Sequence, residues 1–253
     1  MNVYLRISAV LALALAFAFS AVPAAKAAGV YLEPKIGYSN QRVDRHMVTN
    51  RDLDDGVYRL SARELDMGQY SHGSVAGGIA IGYNFMPSFS VPIRLDLEYI
   101  ARGYNTVNAR HGLDITLTEI ANGTATNQRV NIIENGEIGV HTVLANLYFD
   151  IHNSSQFTPF IGVSLGIAAL HIEMTNSSIE GFTPPESFTY GTANFAWGVG
   201  AGVNYAFDNQ WSFDIGYRYV DAGDNSLTEG MLEVDLETKI AIHDVLAGVR
   251  YTF

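Results

Sequence analysis

Cysteine is missing from this 253-residue chain, so no disulfide framework is available. Basic residues are scarce: 15 Lys and Arg against 26 Asp and Glu leave a formal charge of −11. That balance excludes nucleic acid as a partner, because phosphate backbones reward clustered Lys and Arg. Beyond the N-terminus there is no apolar run approaching the roughly 20 residues of a membrane-crossing helix. Metal and phosphate motifs are absent as well, with no H-E-x-x-H, C-x-x-C or phosphate-loop spacing. Gly198, Gly200 and Gly202 spell GVGAG, but they alternate within a strand pattern and open no helix, so a nucleotide fingerprint is excluded. No cofactor or metal is expected.

The one long apolar run lies at the start. Arg6 precedes Ile7 to Ala21, and VPAAKAAG follows, with Ala25-Lys26-Ala27 as an A-x-A site. A short apolar core behind a positive start describes a secretory signal peptide, cleaved after Ala27 or, as the next candidate, after Ala28. An uncleaved anchor is the weaker reading, because the run falls short of a bilayer crossing. Residues 1–27 are expected to be removed and residues 28–253 to form one domain, since nothing in the middle resembles a linker. Loss of Arg6 and Lys26 takes the charge from −11 to −13.

What remains is organised by a period of two, the mark of strands with unlike faces. Leu32, Pro34, Ile36 and Tyr38 alternate with Glu33, Lys35 and Gly37; Pro34 removes a ladder donor and predicts a slightly irregular first strand. Val75, Ile79, Ile81, Tyr83 and Phe85 oppose Ser74, Ala76, Gly78, Ala80 and Gly82. Val91, Ile93, Leu95, Leu97 and Tyr99 oppose Arg94, Asp96, Glu98 and Arg102. Similar stretches occupy 139–151, 157–169, 195–207 and 211–219. The chain ends on HDVLAGVRYTF, with Val245, Val249, Tyr251 and Phe253 on its oily face and Arg250 on the other. Upstream, Ile240 and Ile242 take the opposite parity, which predicts a bulge near His243-Asp244.

About eight strands result, joined alternately by tight turns (MPSFS, HNSSQ, DNQ) and by long polar excursions at 39–72, 105–137, 171–191 and from 221 onward. Asn122-Gly123 and Asn135-Gly136 in the second excursion are type I′ turn signals, predicting a hairpin that rises beyond the main sheet. A soluble sandwich has no reason to gather its long loops at one end. Tyr83, Phe85, Tyr205, Phe207, Trp211, Phe213, Tyr251 and Phe253 cluster beside the short turns, and Tyr38, Tyr99, Phe195, Trp197, Tyr217 and Tyr219 lie nearer the long ones. Two aromatic belts with aliphatic residues between them match a hydrocarbon slab. The fold class is therefore all-β: an eight-stranded antiparallel up-and-down transmembrane β-barrel with four long extracellular loops and short periplasmic turns. An eight-stranded interior is just wide enough to be filled by side chains. Small inner residues leave room for a polar network of Glu33, Lys35, Arg94, Asp96, Glu98, Arg102, Tyr148, Asp150, Asp214, Arg218 and Arg250. It reads either as a polar plug or as a narrow gated path for ions or small solutes; the strand number favours the plug.

The signal peptide, the eight alternating strands, LANLYFDIH at 144–152, FTPFIGVSLGIA at 157–168 and the ending AGVRYTF together resemble the OmpA-like and opacity-type outer-membrane barrel family. The last strand, with Val245, Val249, Tyr251 and Phe253, resembles the C-terminal signal that marks Gram-negative outer-membrane barrels for assembly. The resemblance implies an outer-membrane location, contact with lipid and lipopolysaccharide, and delivery by the barrel-assembly machinery. It also implies a role as adhesin, envelope-stabilising protein or surface antigen, exercised through the loops on a host or environmental ligand. No peptidoglycan-binding domain is expected after Phe253. A porin-like channel is the alternative function.

Two clusters resemble hydrolase sites. His72-Gly73-Ser74 resembles the His and Ser of lipid A deacylase barrels, but both residues fall on the luminal face, whereas a lipid-cleaving pair should face the bilayer. His171, His243 and Asp244 at the outer rim suggest a protease; solvated rim residues are the plainer account. The expectation is a protein without enzymatic activity. The acidic excursions leave open bridging divalent cations or a cationic partner, against plain solubility.

Overall fold

The computed structural model describes residues 29–49, 53–54, 58–60, 64–119, 121, 123–179, 186–229 and 234–253. The expected export segment, with Ala27 and Ala28, lies outside the described residues. Eleven strands form one sheet: β1 (Val30–Thr49), β2 (Leu53–Asp54), β3 (Tyr58–Leu60), β4 (Glu64–Asn84), β5 (Ile93–Arg102), β6 (Asn105–Glu119), β7 (Ala125–Asp150), β8 (Phe157–Ile179), β9 (Glu186–Ala206), β10 (Trp211–Glu229) and β11 (Val234–Thr252). β5 and β6 both pair with β7 and are two parts of one stave, interrupted at Gly103-Tyr104. β2 and β3 form a small hairpin laid on the far end of β6. The remaining order closes through β1–β11 and β7–β8 into an eight-staved antiparallel up-and-down barrel, as the sequence reading expects.

The barrel is inside-out. Val75 is 70% exposed and Phe195 65%, while Ala76 and Ala196 beside them are fully buried. Leu95, Leu97, Val163, Leu165, Ile167 and Val245 also face outward. A wall that turns its apolar side chains out and its charges in needs hydrocarbon around it. Closure also leaves no free edge within that band; the β1–β11 ladder skips Glu33 and Pro34, the irregularity that Pro34 predicts. At the short-turn end the aromatics touch in chains: Tyr83 on Phe85 at 4.9 Å, Phe157 on Tyr205 at 4.9 Å, Tyr205 on Phe207 at 5.2 Å, and Trp211 on Tyr251 at 4.8 Å. Three short connections sit there. MPSFS forms a single helical turn, α1 (Met86–Phe89), ended by Ser90 at φ 56°. In the DNQ turn, Asp208 accepts the backbone N–H groups of Gln210 and Trp211, both at 2.7 Å.

The long connections are largely paired strand. β1 and β4 stay paired out to Val48 and Glu64, and β10 and β11 out to Glu229 and Val234, each across one register shift. β6 and β7 make the expected hairpin, turning at Glu119–Thr124, where Gly123 takes φ +70°. The polar composition that hid these strands has a simple cause: with water on both faces, backbone pairing continues but apolar alternation is no longer required. Asn135-Gly136 is not a turn. It lies inside β7 opposite Val107 and Asn108, at a register shift toward β8. The predicted bulge at His243-Asp244 is also absent: β1 and β11 keep one register from Thr49 to Tyr31, and Ile240, Ile242 and Asp244 all point inward. The apolar parity changes because the filling of the barrel changes with height, while the strand continues. Among the described ladders, the shifts fall at Asp44/His46, Ile133/Gly136, Met174/Ser177 and Asp221/Asp224, all toward the long-hairpin end. A bulge inside hydrocarbon would leave a backbone group without a partner; in water it does not.

Candidate functional site

Luminal side chains come from alternate positions of each stave, so the pleat sets their spacing and the ladder register sets their depth. Nearest the short turns, Arg94 donates from Nε and Nη2 to the Asp150 carboxylate at 2.8–3.0 Å. Its guanidinium lies 4.8 Å from the Tyr148 ring and 5.0 Å from the Phe160 ring. Asp214 stands 4.0 Å from Arg94 and 3.6 Å from Arg250, and Arg250 lies 5.3 Å from the Tyr31 ring. Tyr31 and Asn146 donate to the two oxygens of Asp96 at 2.8 and 2.6 Å. Midway up, Lys35 donates to Glu98 at 2.7 Å with Glu33 3.6 Å away, and Arg218 pairs with the other Glu98 oxygen. Highest, Arg102 donates to Asp244 at 2.6 Å, to Ser39 at 3.0 Å and to Thr142 at 3.1 Å, while Arg218 reaches Asp244 at 3.1 Å.

All eleven residues singled out from the sequence line this column. Tyr148 takes part through its ring. Sequence reasoning missed the neutral partners Tyr31, Ser39, Thr142 and Asn146 and one charged member, Asp244: assigned to a solvated rim, it is fully buried and joined to two guanidinium groups. The available signal was its parity, which it shares with Arg250 on the same strand. Toward the long-hairpin end the lumen turns largely apolar, from Leu144, opposite Glu98, through Val220, Ile242, Ala168 and Ala196 to Val140, Leu170 and Ile240. An ion moving along the axis must part the Arg102–Asp244–Arg218 group and then cross this largely apolar layer, which carries a heavy desolvation penalty.

The hydrolase candidates do not assemble. His243 Nδ1 lies 2.7 Å from Tyr217 Oη on the outer face, opposite in direction to Asp244. His171 packs against Tyr104 at 5.8 Å and stands 3.9 Å from Glu173, on another part of the wall. Ser74 Oγ accepts from Gln41 at 3.2 Å on the inner side, and His72 is exposed one inward position higher.

A closed barrel with an apolar exterior and an ion-paired interior defines an integral membrane protein of the β-barrel class. The outer membrane protein beta-barrel domain model matches residues 9–253, and the chain belongs to that family. Its place is the outer membrane, with the short turns toward the periplasm and the long hairpins outside. It is 33% identical over 252 residues to outer membrane protein PagN of Salmonella typhimurium, covering 97% of this chain and 98% of that one. An uncharacterized protein of Brucella suis is 24% identical over 261 residues, covering 93% of this chain and 88% of its own. Among solved structures, Neisserial surface protein A matches with a TM-score of 0.45 at 15% identity, over 89% of this chain and 97% of that one.

Proposed function

We propose that this protein is an adhesin-like surface protein, whose extracellular hairpins bind a ligand outside the cell while the barrel serves as a rigid base. One observation carries the reading: the strands run 19 to 26 residues in β1, β4 and β7 to β11, about twice the roughly 9–11 needed to span a bilayer. The surplus is ordered as paired hairpins on the outer side, and the lumen beneath is filled. Cells displaying the protein should adhere to cultured mammalian monolayers more than cells displaying a barrel with all four hairpins shortened. Equal adherence would overturn the reading. A transport role predicts steady single-channel conductance in planar bilayers; a plug of Glu33, Lys35, Arg94, Asp96, Glu98, Arg102, Tyr148, Asp150, Asp214, Arg218 and Arg250 predicts none. No hydrolytic role is assigned, and intact lipid A acylation on expression is the matching check.

The same reading takes residues 1–27 as an export signal, so N-terminal sequencing of the mature protein should begin at Ala28, or at Gly29 if cleavage follows Ala28. It takes Val245, Val249, Tyr251 and Phe253 as the mark read by the barrel-assembly machinery; Phe253→Ala should slow outer-membrane insertion in cells while leaving refolding in detergent unchanged. Lipopolysaccharide is the expected outer-leaflet neighbour.

A further inference from the structure

We propose that the mid-lumen binds a single monovalent cation of the sodium or potassium class, held with water between Glu33 and Asp214. The argument begins with charge. The lumen holds five cationic side chains (Lys35, Arg94, Arg102, Arg218 and Arg250) against six carboxylates (Glu33, Asp96, Glu98, Asp150, Asp214 and Asp244). Four of the cations are committed: Arg94 to Asp150, Lys35 and Arg218 to Glu98, and Arg102 with Arg218 to Asp244. Asp96 fills both oxygens with the neutral donors of Tyr31 and Asn146. Glu33 and Asp214 have only shared or longer contacts, Lys35 at 3.6 Å from Glu33 and Arg250 and Arg94 at 3.6 and 4.0 Å from Asp214, and the lumen as a whole keeps one negative charge in excess.

The geometry puts unfilled carboxylate oxygens beside open space. A cavity of about 50 Å³ is lined by Glu33, Lys35, Glu98, Asp214 and Arg218, with Gly216 and Gly248 in the wall. One water needs roughly 10–15 Å³ on this measure, so a few fit. Glu33 and Asp214 are 2% and 5% exposed, yet Glu33 Oε2 and both Asp214 oxygens have no hydrogen-bond donor within the protein. Arg218 Nε, also in the cavity wall, is likewise without an acceptor. Orphan acceptors and an orphan donor around one small space call for water, and the net charge calls for a cation among it. A calcium ion is a poor fit: it takes six to eight oxygen ligands, and among the described residues no three His, Cys, Asp or Glu converge. A monovalent ion completed by water matches both the single surplus charge and the sparse ligand set.

The test uses the intact protein, refolded and crystallised with rubidium or thallous ion as the probe. Anomalous density between Glu33 and Asp214, lost in Glu33→Gln, is the expected result. Water alone in that space in the presence of the probe overturns the proposal. So does an infrared carbonyl band of a protonated carboxyl in the wild type that disappears in Glu33→Gln, because a proton would then supply the missing charge. Should Glu33→Gln fail to fold, the wild-type crystal and the spectrum still decide. A thermal midpoint that does not rise on replacing choline by sodium or potassium at equal ionic strength also counts against the site.

Discussion

Asp244 shows how much one luminal residue carries. It is fully buried, and its partners Arg102 and Arg218 come from β5 and β10, so a single carboxylate ties together three staves. Removing it leaves two guanidinium groups in a low-dielectric interior with their pairing disturbed. Asp244→Ala should therefore lower stability by about 3–5 kcal/mol, read as a lower temperature at which the compact, heat-modifiable band is lost on electrophoresis. Asp224→Ala, which removes an exposed partner 4.0 Å from Lys239, should change it by no more than about 0.5 kcal/mol. The glycines make a second residue-scale prediction. A Cβ on Gly202 would lie 2.4 Å from the Phe160 ring and 2.4 Å from the Ile215 carbonyl oxygen, whereas one on Gly77 meets nothing closer than 3.7 Å. Gly202→Ala should cost about 1–3 kcal/mol in the same melt, and Gly77→Ala should be silent. The eleven luminal polar residues were legible because charge at every second position cannot face lipid. Asp244 was not, because Ile240 and Ile242 share its face, and apolar residues on that face read as a strand out of phase.

The elements divide at the membrane surface. Below it, each strand obeys the two-residue alternation that the bilayer enforces, and the sequence displays it. Above it, pairing persists through backbone hydrogen bonds that leave no mark in composition, so 39–49 and 64–72 read as loop though they are β1 and β4. The turns on the periplasmic side obey local chemistry and were readable as turns. Asp208 is the clearest case. Its carboxylate accepts the Trp211 and Gln210 N–H groups, and those bonds hold its pKa below the usual carboxylate value. Because the folded value is depressed, the turn's contribution is fully present above the unfolded carboxyl pKa of about 3.9. It is lost as pH falls through the lower folded value. NMR titration in micelles should show the Gln210 and Trp211 amide shifts moving below pH 4. Asp208→Asn should abolish that titration while keeping the turn, since its side-chain oxygen can still accept.

At the scale of the whole molecule, stability and recognition are housed at different heights, and that separation can be tested by shortening one hairpin. The charged column and most of the apolar layer lie within or just above the membrane band; the β6–β7 hairpin contributes Ile138 to the apolar layer, and the remainder of the hairpin projects beyond it. Thr106 faces Glu137 across the ladder, and Val107 faces Gly136. Replacing residues 107–136 by Asn-Gly would join a facing pair through a two-residue type I′ turn, which suits the twist of antiparallel strands. Loop-closure cost grows only as the logarithm of length, so the shorter hairpin gains little or nothing from entropy and loses no luminal charge. The β2–β3 hairpin, which pairs with β6 through Tyr58, Arg59 and Leu60, would lose its support. The expected outcome is a barrel that keeps its heat-modifiable band and melts close to the wild type, yet adheres less to cell monolayers. A large fall in melting temperature would mean that the outer hairpins belong to the folding core. Unchanged adherence of a well-folded variant would move recognition to the β1–β4, β8–β9 or β10–β11 hairpins, each of which can be shortened between facing residues in the same way.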